Sequence, residues 1–177
     1  MKYIFDLDET LISSTALNND AYNYALEKYG YRRVNTNDRV TRKNLEFISA
    51  MLLDKVISEK QRYFTSKWLP YRVILNNNLI DKMKRYGKNN CYLWTKASPH
   101  RVEPILKYCN LRRFFNKIIF DDKNSFQDSM LKLEATTHSN ELIIYENNHK
   151  FFENESVKII DLIRTKYFDV AGYLICL

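Results

Sequence analysis

The chain opens with a short apolar segment that runs directly into two closely spaced carboxylates. Residues 2–6 read as a buried strand, and Asp6, Asp8 and Thr10 follow in the pattern Asp-x-Asp-x-Thr. The backbone leaves the strand here, so both carboxylates can reach the crevice in which open α/β sheets bind ligands. Two like charges this close need a cation or a proton between them, and their hard oxygens suit Mg²⁺. The alternative is an ordinary Asx-type turn after the strand.

Length and composition limit the class of protein. The 177 residues suit one domain, or one domain with a modest insertion, and 45% apolar residues support a core. No apolar stretch approaches the roughly 20 residues that span a membrane. Asp6 interrupts the first apolar run, so we expect no signal peptide. Because Cys91, Cys109 and Cys176 lack metal or redox spacing, we expect free thiols and a cytoplasmic protein.

The net charge of +7 indicates an anionic partner, for which phosphorylated small molecules and nucleic acid both qualify. The abundance of Lys, Asn and Tyr is also typical of an AT-rich genome, so a small phosphorylated substrate is favoured over nucleic acid. A run of basic residues in the predicted cap is either a solvated helical face or a contact surface for nucleic-acid phosphates. Its members are Arg32, Arg33, Arg39, Arg42 and Lys43.

Helices and strands alternate from residue 77 onward. The patterns predict helices over 78–86, 99–109 and 125–136, and strands over 91–94, 117–120, 141–145 and 157–162. Residues 173–177 are expected to form an edge strand or a packed tail. This alternation predicts a parallel sheet with right-handed crossovers.

A helical block interrupts this pattern after the first strand. Residues 15–66 have apolar side chains at helical spacing. The predicted fold is therefore α/β, with a Rossmann-like parallel sheet core and a helical cap inserted after the first strand. We expect the core to comprise residues 1–14 and 77–177, and the cap residues 15–76. A cap inserted there is expected to cover Asp6 and Asp8, where a lid excludes water.

Four motifs, in this order, resemble those of the haloacid dehalogenase-like superfamily. They are Asp6-Leu7-Asp8-Glu9-Thr10, the strand 91–94 ending in Thr95, Lys123 ahead of a helix, and the strand 141–145 ending in Glu146. Residues 21–31 also resemble the first cap helix of its β-phosphoglucomutase and phosphoglycolate phosphatase branch. The resemblance spans about residues 1–165.

This resemblance implies phosphoryl transfer through an aspartyl-phosphate. Asp6 would be the nucleophile, and Asp8 would protonate the leaving alkoxide and then deprotonate the hydrolytic water. Thr95 and Lys123 would bind the phosphate. Mg²⁺ would be held by Asp6, by the backbone carbonyl of Asp8 and by Glu146.

Several of these assignments have alternatives. Thr95 could instead cap the following helix, and Lys123 could be a solvated surface lysine. Glu146 departs from the superfamily, which usually has aspartate at this strand end. Its longer side chain moves the carboxylate outward, so Asp121 and Asp122 are the alternative metal ligands.

The sequence thus predicts a Mg²⁺-dependent phosphomonoester hydrolase acting on a nucleoside monophosphate or a sugar phosphate. Hydrolytic dehalogenation is less expected, because that branch uses no metal whereas Asp8 with Glu146 indicates a metal site. The first alternative is a nucleic-acid end phosphatase or binding protein on the same fold. The second is a non-catalytic interaction module, which the departure at Glu146 motivates.

Overall fold

A computed structural model describes most of the chain, namely residues 1–67, 73–123, 125–133, 141–148, 152 and 157–176. The chain divides into two compact units. The first comprises Met1–Ser13 and Ile74–Leu177, and the second comprises Ser14–Val73.

The first unit contains all eight described strands. They are β1 (Lys2–Phe5), β2 (Ile12–Ser13), β3 (Ile74–Leu75), β4 (Cys91–Thr95), β5 (Lys117–Phe120), β6 (Glu141–Glu146), β7 (Lys158–Arg164) and β8 (Asp169–Cys176). Two helices of the second unit and three of the first are described. They are α1 (Thr15–Lys28), α2 (Ala50–Lys67), α3 (Asn77–Tyr86), α4 (Pro99–Tyr108) and α5 (Phe126–Leu133).

Six of the strands form one sheet in the order β5-β4-β1-β6-β8-β7. β1 pairs in parallel with β4 and β6, and β4 pairs in parallel with β5. The predicted α/β fold with a Rossmann-like sheet is therefore confirmed. Because the four parallel strands share one direction, their carboxyl ends lie at one edge of the sheet. The short strands β2 and β3 pair separately and were not predicted.

Two predictions about the strands beyond β6 are corrected: the place of residues 173–177 and the parallel direction of the strand over 157–162. Residues 173–177 were expected at an edge or in a packed tail, but β8 lies inside the sheet, antiparallel to both β6 and β7. The strand expected over 157–162 is β7, and it forms the antiparallel edge. The cause is a tight turn in which the Thr165 N–H donates to the Phe168 carbonyl at 2.7 Å. A hairpin this short can only join antiparallel strands.

Local capping explains the helix bounds. α3 begins after Asn76, whose side chain accepts a hydrogen bond from the Leu79 N–H, and it ends at Gly87 with φ of 78°. α4 begins with Pro99, where a missing N–H is harmless. α5 is described as far as Leu133, so the end of the helix predicted over 125–136 lies outside the described residues.

The second unit is built on α1 and α2. Its core is a cluster of buried side chains, namely Tyr22, Ala25, Leu26, Val40, Leu45, Ile48 and Val56. The connection between the two helices includes a 3-10 turn at Arg42–Leu45. No helix among the described residues is both long and apolar enough to cross a membrane.

Candidate active site

The turn after β1 is held by its own backbone. The Asp6 N–H donates to the Tyr145 carbonyl of β6 at 3.0 Å, which fixes the end of the strand. The Leu7 carbonyl then accepts from three following N–H groups, and the Glu9 N–H donates to the Ile12 carbonyl at 2.7 Å. Glu9 has a φ of 58°, a left-handed conformation that is costly for a residue other than glycine. A well-defined turn therefore fixes the backbone that carries Asp6 and Asp8.

Lys123 joins two of the predicted acidic residues. Its Nζ donates to Asp6 Oδ1 and to Glu146 Oε2, both at 2.7 Å. Lys123 and Glu146 are buried, at 7% and 2% exposure. The ammonium also lies 4.7 Å from the centroid of the Trp94 ring, a cation–π distance. Three candidate residues from three separate segments thus meet at the carboxyl ends of the strands.

The loop after β6 accommodates the longer side chain of Glu146. Its Oε1 accepts hydrogen bonds from the backbone N–H groups of Asn147 and Asn148, each at 3.1 Å. The carboxylate is therefore fixed on one oxygen by its own loop and on the other by Lys123. This arrangement brings the carboxylate to Lys123, the same ammonium that binds Asp6, despite the departure from aspartate.

Asp121 supports Lys123 rather than joining the acidic pair. Its Oδ1 accepts from the Lys123 N–H at 2.9 Å, and its Oδ2 accepts from Lys132 Nζ at 2.6 Å. The hydrogen bond from Lys132 is the main reason that the pKa of Asp121 is lowered. Lys123 itself has a φ of 56°, so the Asp121 contact stabilises a strained backbone position. Asp122 is exposed.

Thr95 lies at the end of β4 and is 1% exposed. Its Oγ1 accepts from the Ala97 N–H at 3.2 Å, and its carbonyl accepts from the Asp121 N–H at 3.0 Å. The residue at the N-cap of α4 is Ser98, so the alternative of Thr95 as that cap is wrong. Among the described residues, Thr95 makes no hydrogen bond to Asp6, and its predicted phosphate contact stays a prediction.

Asp8 is paired with a residue that sequence reasoning missed. Its Oδ2 accepts from Nη2 of Arg101, which lies in the first turn of α4 and is 5% exposed. One signal could have found it: Arg101 falls on the same helical face as Ile105, which is buried. An arginine within an apolar stripe needs a buried partner.

Ion pairs join the charged side chains at this site. Lys123 pairs with Asp6 and Glu146, and Arg101 pairs with Asp8. Burial, and then the charge of Glu146, raises the pKa of Asp6 to about 7, although Lys123 acts in the opposite direction. Burial alone would lower the pKa of Lys123, but Asp6 and Glu146 outweigh it and the pKa is raised. Two carboxylates, Asp6 and Glu146, therefore share the ammonium of Lys123.

The carboxylates of Asp6 and Glu146 fit a divalent cation whose coordination shell is completed by other ligands. Within the part of the chain that the structure describes, no three Asp, Glu, His or Cys side chains converge as a metal cage. Mg²⁺, however, is commonly bound by one or two carboxylates together with waters and substrate phosphate. Asp6 and Glu146 provide two carboxylates in contact with one cation, and their excess charge favours a second one.

Several solved structures share this architecture. A haloacid dehalogenase-like hydrolase from Streptococcus pneumoniae superposes with a TM-score of 0.65 at 16% identity, over 81% of this chain and 73% of that one. A family IA hydrolase of the same type from Entamoeba histolytica gives 0.58 at 20%, over 75% and 70%. A predicted phosphoglycolate phosphatase from Haemophilus somnus gives 0.60 at 14%, over 75% and 71%.

These similarities define the class of fold. The chain has the haloacid dehalogenase-like fold, and the resemblance drawn from its four motifs is confirmed at that level. No protein-family model matches the sequence, and no curated protein matches it.

Proposed function

We propose that this protein is a Mg²⁺-dependent phosphomonoester hydrolase that acts through an aspartyl-phosphate on Asp6. The observation that carries the proposal is the contact of Asp6 with the buried Lys123, which also binds Glu146. Asp8 lies two residues beyond Asp6 on the same fixed turn. The phosphatase named among the structural neighbours supports the same reaction class.

In the first step, a carboxylate oxygen of Asp6 attacks phosphorus and the bond from phosphorus to the leaving oxygen breaks. Asp8 gives its proton to that oxygen, so the product leaves as an alcohol. Lys123 supplies positive charge beside Asp6 and the incoming phosphate, which reduces the repulsion between two anions. Mg²⁺ held by Asp6, Glu146 and the Asp8 carbonyl would screen the same repulsion when bound.

In the second step, water attacks the phosphorus of the aspartyl-phosphate. Asp8, now a carboxylate, accepts a proton from this water, and the bond between phosphorus and the Asp6 oxygen breaks. Inorganic phosphate leaves, Asp6 is again a carboxylate, and Asp8 is again protonated. Lys123 is then rebound by both Asp6 and Glu146, as in the structure described above.

The proposed substrate is a small organic phosphate, either a nucleoside monophosphate or a sugar phosphate, in the cytoplasm. One observation favours a second candidate, a phosphate at a nucleic-acid end. Residues 14–73 contain eleven Lys and Arg against six Asp and Glu, and four of the basic side chains are exposed as two adjacent pairs. These four are Arg32, Arg33, Arg42 and Lys43.

The test is phosphate release from nucleotides, sugar phosphates, p-nitrophenyl phosphate and a 5′-phosphorylated oligonucleotide, with Mg²⁺ or with EDTA. We expect Mg²⁺-dependent release from a small substrate and none from the Asp6→Asn variant. Release from the oligonucleotide alone, declining steeply with salt, would favour the second candidate. Folded protein that releases phosphate from none of them would overturn the proposed function.

A further inference from the structure

Arg101 is an unusual residue for the first turn of α4. Its side chain is 6% exposed, and the neighbouring helix residues Val102, Ile105 and Leu106 are buried apolar groups. A guanidinium that is removed from water needs a charged or strongly hydrogen-bonding partner. The fold therefore places a permanent cation on an otherwise apolar helix face. The residue that Arg101 pairs with explains why a charge is kept there.

That partner is the Asp8 carboxylate. Arg101 Nη2 donates to Asp8 Oδ2, while the Asp8 side chain retains 20% exposure. One end of this contact is anchored by α4, where the Arg101 N–H donates to the Ser98 carbonyl at 3.0 Å. The other end is anchored by the Leu7–Ile12 turn. The contact with Arg101 therefore restrains the rotation of the Asp8 side chain about its bonds.

We propose that Arg101 is a positioning residue that orients the Asp8 carboxylate for its two proton transfers. This inference rests on the proposed function, in which Asp8 serves both the leaving group and the water. A guanidinium donates hydrogen bonds in fixed directions within its plane, which a freely rotating ammonium does not. Lys123 therefore acts on Asp6, and Arg101 acts on Asp8, through separate contacts.

Leaving groups of different basicity separate this role from a structural one. An alkyl phosphate needs a proton on its departing oxygen, whereas p-nitrophenolate departs without one. In Arg101→Gln, kcat/KM is expected to fall about 100-fold for an alkyl phosphate and less than about tenfold for p-nitrophenyl phosphate. Since Arg101 does not bind the phosphate in this proposal, inhibition by inorganic phosphate should be unchanged.

Three further variants keep the test decisive. Arg101→Lys retains a buried cation if the glutamine variant fails to fold, and it should show the same leaving-group dependence in weaker form. Arg112→Gln is the matched control, because that guanidinium donates to the Phe115 carbonyl instead. In an Asp8→Asn background, Arg101→Gln should cause almost no further loss, since both changes remove the same function.

The outcomes are distinguishable. A selective loss with the alkyl phosphate that disappears in the Asp8→Asn background supports the proposal. Equal losses with both substrates, additive losses with Asp8→Asn, or weaker phosphate inhibition would overturn it and leave the proposed function standing. If the wild-type protein hydrolyses neither substrate, the proposed function fails and the role of Arg101 fails with it.

Discussion

Two regions of this protein bury polar side chains in different ways. At the carboxyl ends of the parallel strands, charged groups meet: Lys123 lies between Asp6 and Glu146 with little access to water. Between α1 and the loop that follows it, neutral amides bind backbone groups. Asn23 accepts from the Val34 N–H at 2.8 Å and donates to the Val34 carbonyl at 3.2 Å.

Other asparagines of α1 repeat the second arrangement. Asn19 accepts from the Val40 N–H and donates to the Asp38 carbonyl, both at 2.8 Å, and Asn18 donates to the Val40 carbonyl at 3.0 Å. Amides complete backbone hydrogen bonds at a modest cost of desolvation, whereas buried charges cost far more. Charges that persist despite this cost are frequently found at reactive sites. The comparison therefore predicts chemistry in one region and stability in the other.

The largest expected effect is at Asp6. Asp6→Asn keeps the side-chain volume but removes the nucleophilic oxygen, so turnover of the best substrate should fall by more than about a thousandfold. The measurement is steady-state phosphate release, with circular dichroism to verify the fold. Asp81→Asn is the control, because the exposed Asp81 pairs with Lys84 on the surface of α3. Turnover retained by Asp6→Asn would remove Asp6 as the nucleophile.

Lys123→Met should have the next largest effect. The change leaves two buried carboxylates without their shared cation, and kcat/KM should fall about 100-fold while inhibition by inorganic phosphate weakens. Lys132→Met is the control, since that exposed lysine binds Asp121 instead. If phosphate inhibits Lys123→Met as well as the wild type, Lys123 is a structural counter-ion and the contrast between the two regions is lost.

Glu146→Ala should mainly change the metal requirement. Loss of one of two carboxylates at the proposed cation site is expected to raise the Mg²⁺ concentration for half-maximal activity at least about tenfold. The control is Glu141→Ala, at the exposed start of the same strand. A Mg²⁺ titration that does not shift would make Asp121 the better metal ligand.

The sequence predicted the acidic part of this site and not its basic neighbour on α4. Asp6 and Glu146 each follow a short apolar strand, and parallel strands bring such positions to one edge of a sheet. Lys123 was identified by its loop before a helix. Arg101 was missed because most helical arginines are solvated, although its position on the apolar face of α4 could have indicated that this one is buried.

The fold, like the site, was predicted in part from the sequence. Strand and helix alternation indicates a parallel sheet from local pattern alone. β8 lies between β6 and β7, so it pairs with strands on both sides. Which strand pairs with which is a property of the whole sheet, and the local sequence pattern does not reveal it. The two-residue strands β2 and β3 are shorter than any periodicity can reveal.

Stability as a function of pH sharpens the comparison further. The folded protein raises the pKa of Asp6 from 3.8 to about 7, so the folded state holds that proton more tightly than the unfolded state. The ionised carboxylate therefore destabilises the fold increasingly from pH 4 to pH 7, and fully above pH 7. Without metal, Asp6→Asn should be the more stable protein at pH 8, by a few kcal/mol.

The measurement is urea unfolding of wild type and Asp6→Asn in EDTA from pH 5 to pH 8. The difference in unfolding free energy should grow with pH and level off near pH 8. A difference that is constant over this range would mean that Asp6 binds its proton equally well in the folded and unfolded states, which contradicts its raised pKa.

The smallest expected effect is at the asparagines of α1 that bind the following loop, called here the amide region. Asn23→Ala removes both hydrogen bonds to Val34, and should lower the free energy of unfolding by about 1–3 kcal/mol. Because no ionisable group is involved, this loss should be the same at pH 5 and pH 8, unlike that at Asp6. Asn37→Ala, in the exposed part of the same loop, is the control. A pH-dependent loss in Asn23→Ala would mean that charge also governs the amide region, and the distinction between the two regions would fail.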